Sequence, residues 1–143
     1  MDDNNEDQHW MQQAITLGKQ GQAQGEIPIG AILTLDNNCI AQSYNQPIAT
    51  NDPCAHAEII ALRQAGKQLT NYRLTNTTLY VTLEPCLMRV GALLHARVKR
   101  VVFGAYDTKI GASNIEKQYN TNHHITWQGG CLADDCSSLL RNF

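Results

Sequence analysis

The amino-acid sequence predicts an α/β protein, layered around a largely buried sheet. Three observations carry that class. Strand-like and helix-like stretches alternate in the order strand, helix, strand, helix, strand, with short links between them. The strand stretches Leu79–Leu83 and Val101–Ala105 are short, mainly apolar runs. No internal repeat, low-complexity tract or linker interrupts the pattern, so 143 residues make one domain with a real core.

Each element follows from local chemistry. From about Glu6 to Gln22 the residues Trp10, Ala14, Leu17, Gly18 and Gly21 fall on one helical stripe, and Gly21 and Gly25 stop the helix. Ile27 to Leu35 reads as a strand, Asp36-Asn37-Asn38 as a turn and Cys39 to Tyr44 as a second strand, which makes a hairpin. Asn45 to Thr50 reads as a loop. Asp52 and Pro53 are a helix start signal, because Asp can cap and Pro lacks an N–H that would be unpaired there anyway. That helix is expected from about Cys54 to Ala65, stopped by Gly66. Pro85 opens another, through about Ala96. Lys109 to Asn122 reads as a polar surface loop, Ile125-Thr126-Trp127 as an edge strand. Leu132, Cys136, Leu139, Leu140 and Phe143 form the stripe of a closing helix.

Composition excludes little else. An apolar share of 43% with 17% charged residues is ordinary for a globular chain, and no apolar run approaches the roughly 20 residues a membrane span needs. The acidic start, Met1 to Asp7, is neither a secretory signal nor a transit peptide, so a cytoplasmic protein is expected. Five cysteines without framework spacing read as reduced thiols, with Cys39, Cys131 and Cys136 as core residues and Cys54 as a packed thiol rather than a metal ligand. His123 and His124 read as solvated. A net charge of −2 is neutral on partners, although His95, Arg97, Lys99 and Arg100 form either a phosphate-contacting edge or a solvated helix end.

Two short stretches carry the chemistry. Cys54-Ala55-His56-Ala57-Glu58 offers an imidazole with a carboxylate two residues on, and Glu84-Pro85-Cys86-Leu87-Met88-Arg89 offers a thiol just after a helix-opening proline. Both lie at predicted helix N-termini, where unpaired N–H groups and partial positive charge favour thiolates and a metal-bound hydroxide. A catalytic zinc needs about three protein ligands and one open position for water, whose pKa it lowers to about 7. His56 would reach the metal, and Glu58 would take a proton from that water and pass it on. Positions 86 and 89 share a helix face, so two thiolates there would complete a tetrahedron with His56. This sequence has Arg89 at the second, and a guanidinium has no lone pair to offer a metal. Two arrangements are open. Arg89 enters the pocket and pairs with Glu58, or it turns outward and zinc binds weakly through His56, Cys86 and waters.

The pair of stretches resembles the H-x-E…P-C-x-x-C signature of zinc nucleobase deaminases, apart from its last residue. Ile27-Pro28-Ile29-Gly30-Ala31, Asn71-Tyr72-Arg73-Leu74, Leu79 to Cys86, Arg100 to Ala105 and Leu132 to Cys136 extend the likeness from about Trp10 to Phe143. On these residues the chain is similar to the bacterial tRNA adenosine deaminases of the cytidine deaminase-like superfamily. The resemblance implies a three-layer α/β/α sandwich with a five-stranded mixed sheet, a single deaminase domain over 1–143 and a homodimer. It implies zinc, one per subunit, and hydrolysis of adenosine to inosine at the wobble position of a tRNA anticodon, with the base splayed into the pocket. By position His56 and Cys86 match zinc ligands, Glu58 the proton shuttle and Asn45 a base-contacting asparagine. The backbone around Ala57 and Glu84 would line the pocket, and Phe143 would lie in a helix that contacts tRNA. Besides Arg89, the chain departs from the family in a shorter loop between Ile110 and Asn122 and in ending at Phe143, before the basic tail expected of relatives. Two other functions fit the same fold: a tRNA-binding subunit with impaired or absent catalysis, and a deaminase of a small nucleobase or nucleoside.

Overall fold

The computed structural model describes residues 3–107, 110–119 and 122–143; Met1 and Asp2 of the acidic start, and Lys109, Asn120 and Thr121 of the expected surface loop, lie outside the described residues. The elements are α1 (Asp3–Gln22), β1 (Gly30–Leu35), β2 (Asn38–Tyr44), α2 (Pro47–Thr50), α3 (Ala57–Leu69), β3 (Thr77–Leu83), α4 (Leu87–His95), β4 (Arg100–Ala105), α5 (Ala112–Glu116), β5 (Thr126–Gln128) and α6 (Ala133–Arg141). The strands form one five-stranded sheet in the order β2-β1-β3-β4-β5. β1 is antiparallel to both β2 and β3, whereas β3–β4 and β4–β5 are parallel.

The pleat sorts side chains to two faces. On one, Ala31 and Leu33 of β1, Leu79 and Val81 of β3 and Val101 and Phe103 of β4 join Ala57, Ala61 and Ala65 of α3 and Val90 and Leu93 of α4. On the other, the intervening Ile32, Tyr80 and Val102 meet Met11, Ala14 and Ile15 of α1 and Cys136 and Leu139 of α6. The result is three layers, helix on sheet on helix. Gly30 is where α1 and β1 come closest, since a Cβ there would collide with the Ala14 carbonyl. Asp7 of α1 reaches across the same face. It accepts from Arg100 at 2.9 and 2.6 Å and from the Tyr80 hydroxyl at 2.9 Å, all buried or half-buried.

Several boundaries differ from the sequence reading. The stretch 27–29 precedes β1 rather than belonging to it. The hairpin turn is tight, with Asp36 and Asn37 at φ 52° and 59°, the left-handed pair that suits the twist of the flanking strands. Asn45 to Thr50 is not all loop, because α2 occupies its last four residues. The helix expected from Cys54 starts at Ala57, since Asp52 accepts the N–H of Cys54 at 2.9 Å and makes a local turn instead of a helix cap. Gly66 does not stop it; Thr70 does, in the left-handed region at φ 51°. The expected loop from Lys109 contains α5, whose Glu116 accepts the N–H of Ile125 at 2.6 Å. Arg100 is withdrawn from any phosphate edge by Asp7, His123 lies 2.7 Å from the Val98 carbonyl rather than in solvent, and Cys39 is exposed rather than in the core. Phe143 leaves the stripe of α6 and is exposed.

Candidate active site

Because β2 and β3 are both antiparallel to β1, they run the same way and end at the same edge of the sheet. The chain leaves each for a helix on the same face, α3 after β2 and α4 after β3. The two chemical stretches therefore meet beside the start of β1, where Gly30 pairs with Tyr44 and Ala31 with Val81. His56 is the N-cap of α3 and Glu58 lies in its first turn; Cys86 is the N-cap of α4 and Arg89 lies in its first turn.

The loop before α3 is held by buried acceptors. Asn45 is buried, and its Oδ1 accepts the N–H of Ala57 at 2.7 Å. The Ser43 hydroxyl donates to the Ala57 carbonyl, so both main-chain groups of this fully buried residue are bonded. Glu26, also fully buried, accepts the N–H groups of Ile48 and Ala49 at 3.2 and 2.8 Å and fixes the start of α2. Glu84 does the same on the far side. Its main-chain N–H donates to Ala105, and its carboxylate accepts from Asp107 at 3.2 Å and Ala112 at 2.8 Å. Glu26 and Ser43 carry no sequence signal of these roles, since neither lies in a motif and each works through backbone far along the chain.

Arg89 turns inward. Its Nε donates to Cys86 Sγ at 3.2 Å, and its Nη1 lies 3.4 Å from Glu58 Oε2, with the two side chains 7% and 0% exposed. Burial pushes the Glu58 carboxyl above its ordinary range, and the neighbouring guanidinium opposes that shift without cancelling it. Burial and then Arg89 lower the His56 imidazole, which favours its neutral form. For Arg89 burial works against the charge, but Glu58 and Cys86 outweigh it and the guanidinium is held more firmly protonated.

Four buried polar atoms here have no hydrogen-bond partner: His56 Nδ1, both Glu58 oxygens and Arg89 Nη1. Such a group of orphans in one place marks a site shaped for something further. His56 Nδ1 and Cys86 Sγ are suitable zinc donors, yet among the described residues no three His, Cys, Asp or Glu side chains converge to hold a metal ion. The third position is filled by a cation. The donor set does not fit a three-ligand zinc.

Of the remaining expected residues, Phe143 is exposed two residues beyond α6, whose Cys136 and Leu139 pack on the sheet face opposite α3 and α4, and the carbonyl of its neighbour Asn142 accepts from Gln22 of α1 at 3.3 Å. Cys54 is half-buried and joins no metal cluster. An apolar groove of about 1020 Å³ lies beside α3 and α4, lined by Ile59, Leu62, Tyr72, Leu74, Ala92 and Ala96 among others. It does not include the cluster. No helix among the described residues is long and apolar enough to cross a membrane.

Comparison with known proteins places these observations. Residues 4–105 match the family model for the cytidine and deoxycytidylate deaminase zinc-binding region, a span that contains His56, Glu58, Cys86 and Arg89. The tRNA-specific adenosine deaminase of Haemophilus influenzae is 49% identical over 142 residues, covering 96% of this chain and 82% of that one. Its counterpart in Buchnera aphidicola subsp. Schizaphis graminum is 42% identical, covering 97% and 94%. A solved structure from studies of A-to-I editing by tRNA:A34 deaminases at the wobble position of transfer RNA is similar at a TM-score of 0.87 and 36% identity, over 92% of this chain and 99% of that one.

Proposed function

Since the chain belongs to the cytidine and deoxycytidylate deaminase zinc-binding family, among relatives named tRNA-specific adenosine deaminase, we propose that it takes the wobble adenosine of a tRNA anticodon loop. The reaction for which this pocket is built is hydrolytic conversion of that adenosine to inosine. The likeness of nearly the whole chain to tRNA-specific relatives carries this reading, because it extends well beyond the two site stretches. We take residues 1–143 as one deaminase domain acting in the cytoplasm.

The roles are those the resemblance gives by position, and the geometry supports them. Asn45 has its Oδ1 bonded to Ala57, so contact with the base falls to its amide NH₂. Glu58 is the buried carboxylate whose oxygens no hydrogen bond engages, and it is the group to hold or move a proton at the purine ring. The backbone at Ala57 and Glu84 lines the base pocket, and Phe143 is exposed for contact with the RNA. The apolar groove beside α3 and α4 is the face a second copy would cover in a homodimer.

Zinc is the family's metal and supplies an activated water. In this chain His56 and Cys86 would face it, with Arg89 at the third position. That pairing favours a second reading for the chain as it stands, in which the anticodon loop is recognised and turnover is impaired. Inosine formation and binding should be measured on an anticodon stem-loop beside free adenosine, guanine and cytidine. The stem-loop should be bound, and any inosine should form only in it. Faster deamination of free guanine or cytidine would overturn the assignment.

A further inference from the structure

Arg89 is held on two sides at once. Its Nε is bonded to Cys86 Sγ and its Nη1 is paired with Glu58, in a setting where both partners of the ion pair are buried. Swinging it out to admit a metal would break both contacts and leave the fully buried Glu58 carboxylate with neither a cation nor a hydrogen bond. Leaving it in place sets a fixed positive charge 3.2 Å from Cys86 Sγ, where it repels any divalent cation approaching that sulfur. Neither movement supplies a third donor, since no other His, Cys, Asp or Glu among the described residues joins His56 and Cys86.

We infer that the Arg89 side chain is itself the resident cation of this site, so that the folded chain excludes zinc and organises Glu58 and Cys86 around a guanidinium. The inference rests on reading His56 and Cys86 as the family's metal-facing pair. It also explains why the cluster holds together with two carboxylate oxygens and an imidazole nitrogen lacking hydrogen bonds, because Arg89 supplies the opposing charge. The pocket keeps a metal-deaminase shape while a covalently attached cation occupies its centre.

The test is zinc per chain. The 143-residue chain, Arg89→Cys and Arg89→His would be incubated with zinc chloride, desalted and measured by elemental analysis. The parent should retain below about 0.1 zinc per chain and Arg89→Cys about one, a gain of roughly tenfold, because Cys completes three protein ligands. Arg89→His, whose imidazole is also a zinc ligand, should gain in the same direction and serves if the Cys variant does not fold. Cobalt(II) gives an independent readout: a thiolate-to-cobalt absorption band should appear in the variants and not in the parent. About one zinc per chain in the parent, with a cobalt–thiolate band, would overturn the inference. So would variants that fold like the parent by circular dichroism and still stay empty. Neither readout involves RNA, so this test stands or fails separately from the anticodon assignment.

Discussion

Asn45 and Ala57 are joined by one buried hydrogen bond of 2.7 Å, from the main-chain N–H of Ala57 to the Asn45 side chain. That bond ties the end of the loop after β2 to the first residue of α3. Asn45→Ala leaves the N–H buried and unpaired, and should cost about 1–3 kcal/mol by chemical denaturation. Asn45→Asp keeps the acceptor and should lose less stability. It also loses the NH₂ group, so both variants should bind an anticodon stem-loop more weakly by fluorescence anisotropy. Binding by Asn45→Asp equal to the parent's would show that the amide does not touch the base.

The buried pair Glu58–Arg89 should behave as a coupled unit. Glu58→Gln and Arg89→Met each strand one charged partner and should each cost about 3 kcal/mol. The double variant should cost clearly less than the sum, with a coupling energy on the order of 2 kcal/mol in a double-mutant cycle. Additive losses would mean that the 3.4 Å contact contributes nothing.

Gly30 has no room for a methyl group between β1 and the backbone of α1. Gly30→Ala should therefore destabilise the protein by about 3 kcal/mol or more, as overpacking against backbone cannot be relieved by a rotamer change. A melting temperature within a degree or two of the parent's would contradict this packing.

Cys136 is buried beneath β4, and burial, then Cys131 and Asp135, push its thiol up to about 12 from an ordinary 9.0. The folded chain keeps the proton where the unfolded chain has lost it. Stability from this group is thus complete below pH 9.0 and is lost as pH rises toward about 12. Cys136→Ala should flatten that alkaline decline in denaturation midpoints. In the native parent at pH 9.0, Cys136 should resist a disulfide-exchange reagent until the chain is unfolded. Prompt labelling of this residue would refute its burial.

Much of the fold was readable because the signals are local. The apolar runs of β3 and β4, the Asp36-Asn37 turn and the stripe of α1 each follow from short-range spacing. The helix starts were less readable, since Asp52 bonds the backbone two residues on and mimics a cap without making one. Within the site, His56, Glu58 and Cys86 declared themselves by residue type. Their surroundings did not. Whether Arg89 would face in or out depends on Glu58, thirty-one positions earlier, and no periodicity connects the two. The supports Glu26 and Ser43 act on backbone groups, which a sequence represents only as neighbours.

The strand order also sets when the site can form during folding. The β1–β2 hairpin closes over a short turn, whereas β3 must find β1 across α2 and α3, and the cluster has no shape until it does. Contacts between α3 and α4 are therefore late ones, made after the slow non-local pairing. A late contact governs how fast the native state is lost rather than how fast it is reached. Arg89→Met should raise the unfolding rate in stopped-flow denaturant jumps while leaving refolding nearly unchanged. An equal slowing of refolding would mean that the two helix ends meet early, and that the site helps to guide the chain home.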